Sequence, residues 1–283
     1  MEAQGSADMK KNKIEKKTGL RGFVALLAIL LVAAIAIGLF MAYSTLRDMW
    51  LEQCVITNGA EQIQVTSGKL VKADTIADAF GLRNGANLAL IDFAARRRDV
   101  LNDPRYAAIR DISIERSLPN KVSISVVERE PVVRMNIRGQ KPDTGHVADA
   151  DGVVFTRRRG TGLLPIVREP QAPGTAVGKQ LSGRALAALR LVETCRLPEL
   201  QELGLLEVDI SKQDFLCATL GDYSTAKIAW PGMDDPDSSS LADLFITLRN
   251  LRDAIRSKVG QGVKTWNATS KEYIYADTKE KIP

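Results

Sequence analysis

Three observations predict an α+β protein carried on a single N-terminal membrane helix. They are a charge-free apolar run at Phe23 to Tyr43, a strand-helix-helix-strand-strand order over residues 61–129, and a later region where short alternating strands are interrupted by two amphipathic helices. The apolar run is 21 residues long, and at 1.5 Å of rise each it covers about 30 Å, the thickness of a bilayer's hydrocarbon core. Lys10, Lys11, Lys13, Lys16, Lys17 and Arg21 crowd its N-terminal side, and such charge resists translocation, so the N-terminus is expected in the cytoplasm and the rest outside. Ala34 and Ala36 mimic a signal-peptidase site, but hydrophobicity continues through Ile37, Leu39, Phe40 and Met41 where a polar stretch should precede cleavage. A lipoprotein signal at Cys54 is excluded by Leu51-Glu52-Gln53, which lacks the small residues such a site needs.

Residues 1–22 hold six basic and three acidic groups, so the leader accounts for +3 of the formal +5 and leaves +2 for everything else. A nearly neutral outer part argues against nucleic-acid binding, which needs a concentrated cationic field. Arg96-Arg97-Arg98 and Arg157-Arg158-Arg159 read as solvated faces. Three widely spaced cysteines give neither a disulfide framework nor a zinc pattern, and Cys195 and Cys217, amid apolar neighbours, read as buried free thiols.

In the first globular region, Ile63 and Val65 alternate on a strand that Gly68 breaks, and a helix over Lys72 to Phe80 places Ile76, Ala77 and Phe80 on one side. Gly81 and Gly85 close it. Asp92 is suited to cap a second helix over Phe93 to Leu101, which Pro104 ends. Ile112 and Ile114, a turn at Leu118-Pro119-Asn120, then Val122, Ile124 and Val126 make an antiparallel hairpin with one buried face.

A boundary is expected near residue 130. Beyond it Asp151-Gly152 offers the chemistry of a tight hairpin, and the helix over Ser182 to Arg196 spaces Leu181, Ala185, Leu189 and Val192 along one side. Strands follow at Leu205 to Ile210, Phe215 to Leu220 and Lys227 to Trp230, with Gly221-Asp222 turning between the last two. Ser240 opens a helix whose Leu241, Leu244, Phe245, Leu248, Leu251 and Ile255 form a core-facing stripe. Val263 to Ala268 and Glu272 to Ala276 read as two last strands joined through Thr269-Ser270-Lys271.

No enzyme signature stands out. His146, the single histidine, lacks a nucleophile or metal context, and hydrolase, phosphate-loop and zinc-pair motifs are missing. Asp149 and Asp151 fit turn roles, since a calcium loop would need an acid where Arg158 stands, and Asp234-Asp235-Pro236-Asp237 reads as a solvated connection. No cofactor, metal or small-molecule substrate is expected. Distant carboxylates can converge in a fold, so an exported cell-wall enzyme stands as an alternative.

The last strand carries a different expectation. A strand at a sheet edge offers unpaired N–H and C=O groups that accept a partner strand, with Tyr273 and Tyr275 selecting that partner or, together with Trp266, packing their own sheet.

Ile63-x-Val65-x-x-Gly68 with Ile76, Gly85-Ala86-Asn87-Leu88-Ala89-Leu90-Ile91-Asp92, Arg116-Ser117-Leu118-Pro119-Asn120 and Val127-Glu128-Arg129-Glu130-Pro131-Val132 together resemble the POTRA domain and its exit in the bacterial FtsQ/DivIB family. Val147 to Phe155 and Leu164-Pro165-Ile166 resemble the entry to that family's β domain, while Thr265-Trp266-Asn267-Ala268 departs from its usual late strand. The resemblance implies a cytoplasmic tail at 1–22, a span at 23–43, a linker at 44–60, a POTRA domain at 61–129, a mixed β-sheet domain with two helices at 130–277 and a tail at 278–283. It further implies a non-enzymatic divisome scaffold in the inner membrane at the septum. FtsB-like and FtsL-like proteins would be its partners, with FtsK, FtsW and FtsI-like proteins as further ones. Trp266, Glu272, Tyr273, Ile274, Tyr275 and Ala276 are then the expected partner-binding residues. Another envelope-biogenesis POTRA protein is the remaining alternative, although too little chain follows residue 130 for a membrane barrel.

Overall fold

A computed structural model describes residues 4–117, 119–137, 145–157, 160–168, 175–233, 241–257, 260 and 262–277, with side chains in the first helix described for Phe23 and from Leu26 onward. Leu118, Arg158, Arg159, the acidic loop Asp234 to Asp237, Ser240, the tail at 278–283 and the side chains of the lysine-rich leader lie outside that set. The chain divides into two compact units. One comprises residues 1–62, 83–91 and 116–122, and the other residues 63–82, 92–115 and 123–283.

The first unit is dominated by helix α1, Gln4–Gln53, which continues ten residues past the expected span into the segment read as a linker. Leu26–Gln53 is long and apolar enough to cross a membrane, and its large hydrophobic side chains as far as Trp50 are exposed, Phe40 at 71%. A soluble core helix would bury that face, so α1 fits a single-pass membrane protein. After α1 comes the one-turn helix α2, Gly59–Gln62, where the Gln62 carboxamide oxygen accepts from the Thr57 and Asn58 amides at 2.8 Å each. Cys54, Ile56 and Leu88 are wholly buried here.

The second unit holds β1 (Ile63–Thr66), α3 (Ala73–Phe80), α4 (Phe93–Asn102) and most of the hairpin β2 (Ile109–Ser117) and β3 (Lys121–Glu128), in a sheet of order β1-β3-β2. This is the β-α-α-β-β order read from the sequence. Asp92 caps α4 by accepting from the Ala95 amide at 2.9 Å, and Gly81 ends α3 at φ 71°. Ile76, Phe80, Phe93, Ile109, Ile112, Ile124 and Val126 are buried, with the Phe80 and Phe93 rings stacked at 6.3 Å. Ile109 and Ile112 are three apart yet both buried, so the in-out alternation of β2 shifts at Arg110-Asp111.

The same unit contains a nine-stranded mixed sheet of order β12-β11-β10-β9-β8-β7-β4-β5-β6. Its strands are β4 (Val133–Asn136), β5 (His146–Ala148), β6 (Val154–Thr156), β7 (Ile166–Arg168), β8 (Glu207–Asp209), β9 (Leu216–Thr219), β10 (Thr225–Ile228), β11 (Thr265–Ala268) and β12 (Tyr275–Ala276). Helix α5 (Gly183–Cys195) joins the parallel neighbours β7 and β8, and α6 (Leu241–Arg256) joins the parallel neighbours β10 and β11. Both crossovers step in the same direction between strands of the same polarity, so their shared right-handedness puts both helices on one face. Val133, Met135, Val167, Val208, Leu216, Ala218, Ala226, Ile228, Trp266 and Ala268 line that face and pack with Leu189, Val192, Leu244, Leu248 and Leu251 in one core. Leu241, expected on the stripe of α6, is instead 46% exposed. None of the three cysteines is in a disulfide; Cys195 is buried as expected, Cys217 is only half-buried against that expectation, and Cys54 is buried as well. Burial pushes the Cys195 thiol up to about 12.

Candidate functional site

Register fixes what β12 offers. Trp266 faces Ala276 and Asn267 faces Tyr275 across an antiparallel pair, and the Asp277 amide donates to the Thr265 carbonyl at 2.8 Å. Backbone groups of alternate residues point to opposite sides of a strand, so Tyr275 and Asp277 turn theirs toward β11 while Ala276 turns its N–H and C=O outward. On β11 the same parity holds. The Lys264 and Ala268 carbonyls accept from Thr225 and Ala229 on the β10 side, leaving Thr265 and Asn267 for β12. Among the described residues β12 has a sheet neighbour on one side alone.

Other edges are differently finished. Beside β6, the Val154 amide donates to the Lys179 carbonyl at 2.9 Å and the Gly178 amide donates to the Val154 carbonyl at 2.8 Å, so a following segment covers that margin. On β2 the Ile112 carbonyl accepts from Arg97 Nε at 2.8 Å, and the Ile112 amide donates to Asp111 Oδ1 at 2.7 Å. Arg97 Nη2 closes the clamp 2.5 Å from that same Asp111 oxygen, and this hydrogen bond, with the Ile112 amide second, holds the Asp111 carboxyl below the usual carboxylate range. Side chains thus occupy both backbone groups of Ile112, a known way of blunting an edge.

The end of β12 is anchored through charge. Lys227 Nζ lies 3.0 Å from Asp277 Oδ2, both side chains being 16% exposed, and Lys227 also sits over the Phe215 ring at 5.4 Å. Before β12 the chain is tied to α6: Asn250 donates to the Lys271 carbonyl at 2.8 Å, and Lys271 Nζ lies 3.0 Å from Asp243. Asn267 Oδ1 accepts from the Thr269 hydroxyl at 2.8 Å, and the Glu272 amide donates to Ser270 Oγ at 3.3 Å.

Those ties revise the residues expected at the edge. The turn consumes Thr269 to Glu272, so β12 is two residues long, and Glu272 and Tyr273 precede it rather than form part of it. Trp266 is 4% exposed and lies in the core with its indole Nε1 unpartnered, so its side chain cannot meet a partner without repacking. Ile274 packs partly on the core, whereas Tyr273 and Tyr275 are 70% and 54% exposed and lie beside the open margin, where Ala276 supplies the outward backbone groups. The contribution of Asp277 and Lys227 was not legible, because their contact spans fifty positions.

A second cluster lies where the first sheet leaves β3. Glu128 accepts the amides of Lys69, Leu70 and Val71 at 2.9, 2.7 and 2.9 Å. Arg129 Nη1 lies 2.6 Å from Asp149 Oδ2, and its Nε donates to the Ala107 carbonyl at 3.1 Å. Asp149 keeps its expected turn role, since its Oδ1 accepts from the Val153 amide at 2.8 Å. Ala107, Val147 and Phe155 form a small apolar cluster with Leu70, Ala108 and Val177. Among the described residues no group of three or more His, Cys, Asp or Glu side chains is placed to hold a metal ion.

Comparison with known proteins places this architecture. Residues 59–129 match the family described as POTRA domain, FtsQ-type. The chain is similar to FtsQ/DivIB proteins and carries their type of POTRA domain at residues 59–129. It is 26% identical over 106 residues to the cell division protein DivIB of Clostridium acetobutylicum, covering 38% of this chain and 40% of that one. It is 27% identical over 90 residues to the cell division protein FtsQ of Corynebacterium glutamicum, covering 32% and 37%. With the cell division protein FtsQ of Mycolicibacterium smegmatis it shares 28% identity over 149 residues, 52% of this chain and 38% of the relative. The matched segments therefore span about two fifths of these FtsQ/DivIB relatives.

Proposed function

We propose that this chain is a non-catalytic, single-pass scaffold of the bacterial cell-division machinery, holding membrane-bound partners by strand addition at β12. The observation carrying this reading is the open Ala276 margin, flanked by exposed tyrosines, in a chain whose relatives are named for cell division. In this reading residues 1–22 stay in the cytoplasm, 23–43 span the inner membrane, 44–60 connect, and the POTRA domain at 61–129 and the β domain at 130–277 work outside, with 278–283 as a tail. An extended segment of an FtsB-like protein, with an FtsL-like protein alongside, gains main-chain hydrogen bonds from Ala276 and side-chain selection from Tyr273 and Tyr275. Confinement to one membrane raises the effective concentration of both proteins, so a short strand interface is sufficient. FtsK, FtsW and FtsI-like proteins are the further partners of the same complex. Depletion of the protein from growing cells tests the role: filaments with unfinished septa are expected, and normal septation would contradict it.

A further inference from the structure

The first unit joins an apolar helix face to a loop brought there from far along the chain. α1 keeps an apolar stripe beyond Tyr43. Leu46, Met49 and Trp50 are 67%, 55% and 46% exposed, and the spacing of Tyr43, Leu46 and Trp50 sets them on one stripe. No charge occurs from Phe23 to Leu46, and Trp50 lies four residues, or about 6 Å, further along, which is headgroup depth and the preferred setting of an indole.

Loop 83–91 is bound to the end of this helix. Asn87 Nδ2 donates to the Leu51 carbonyl at 2.8 Å, taking up a carbonyl of the last helical turn. The Leu88 amide donates to the Cys54 carbonyl at 3.0 Å, the Ile56 amide to the Ala86 carbonyl at 2.8 Å, and the Gly85 amide to the Ile56 carbonyl at 2.8 Å. Gly59 adds a bond to Asn84 Oδ1 at 2.8 Å. With Cys54, Ile56 and Leu88 wholly buried between them, loop and helix end form one body. Leu90, in a turn closed by its amide on the Asn87 carbonyl at 3.1 Å, is nevertheless 72% exposed, and Arg83 at the start of the loop is exposed as well.

We propose that loop 83–91 is a membrane-surface foot, with Leu90 seated in the interfacial layer of the same bilayer that α1 crosses and Arg83 at its phosphates. The occupant follows from continuity, because Leu90 is held within a turn of the residue that grips the end of a membrane-crossing helix. An apolar group fixed at that depth lowers its free energy in the interface, and a cation there meets phosphate. The foot holds the segment after α1, residues 54–62, against the lipid. The inference rests on the membrane-spanning reading of α1.

The test uses the full chain in phosphatidylcholine liposomes, with Cys217→Ser and one spin label at a time on Leu90→Cys, Leu39→Cys or Tyr223→Cys. Relaxation by oxygen is compared with relaxation by a water-soluble nickel chelate. Oxygen is expected to dominate at positions 39 and 90, and the chelate at exposed position 223. Oxygen dominance at 39 with an aqueous signature at 90 overturns the foot alone, whereas aqueous signatures at both overturn the spanning reading and the foot with it. A signal at 90 that turns lipid-exposed only at high protein density assigns Leu90 to a second copy and likewise overturns the proposal.

Discussion

Arg129 and Asp149, twenty positions apart, meet at 2.6 Å with their side chains 16% and 6% exposed. The arginine leaves β3 and the aspartate closes the β5–β6 turn, so one ion pair ties the exit of the first sheet to the entry of the second. Removing Arg129 leaves the buried Asp149 carboxylate without its cation, whereas Arg129 also has Asp151 at 3.7 Å and the Ala107 carbonyl. Arg129→Ala is expected to destabilise the folded protein by about 2–4 kcal/mol, and a double-mutant cycle with Asp149→Ala should show strong coupling, read from urea unfolding. Additive effects would mean the two side chains act separately.

Gly68 matters for a similar reason. A Cβ there would fall against the Glu128 carboxylate, the group that accepts the amides of residues 69–71. Gly68→Ala should therefore cost about 1–3 kcal/mol through displaced hydrogen bonds, although its φ makes no special demand. Glu128→Gln, which keeps an acceptor, should cost less. The order of the two urea midpoints checks this.

His146 begins β5, and burial pushes its imidazole below the ordinary value of 6.5. The unfolded chain then binds a proton at higher pH than the folded chain does. Stability from the neutral imidazole is complete above about pH 6.5 and is lost as pH falls toward the lowered folded value. The urea midpoint should drop between pH 7.5 and 5.5, and His146→Gln should flatten that drop. An equal drop in the variant would place its origin elsewhere.

Prolines separate the two sides of β12. Ala276→Pro removes an outward N–H and spares the pairing to β11, so it should weaken capture of a membrane-anchored division partner roughly tenfold while leaving the unfolding midpoint nearly unchanged. Tyr275→Pro removes an inward N–H and should lower the midpoint too. Quantitative pull-downs beside urea titrations distinguish them, and equal binding by Ala276→Pro and wild type would count against backbone pairing.

Local signals made much of this fold legible. The Asp92 cap, the Gly81 stop, the stripes of α5 and α6 and the alternation of β3 act over a few residues, and each appears within a residue or two of its expected place. The sheet order was not legible, because β7 enters between β4 and β8 by pairings that connect distant segments. Both readings of Trp266, partner contact and packing in its own sheet, stayed open for a related reason, since alternation marks two faces of a strand without saying which one the helices cover, and the structure buries it. Side chains that finish an edge from another element, such as Arg97 on Ile112, leave no periodic trace.

Residue-resolved amide exchange at the β12 margin, with and without the partner's membrane-proximal segment, tests strand addition most directly. In the free protein the Tyr275 and Asp277 amides should be protected and the Ala276 amide should exchange fast; on binding, Ala276 should become protected. An Ala276 amide that exchanges equally fast in the saturated complex would contradict it.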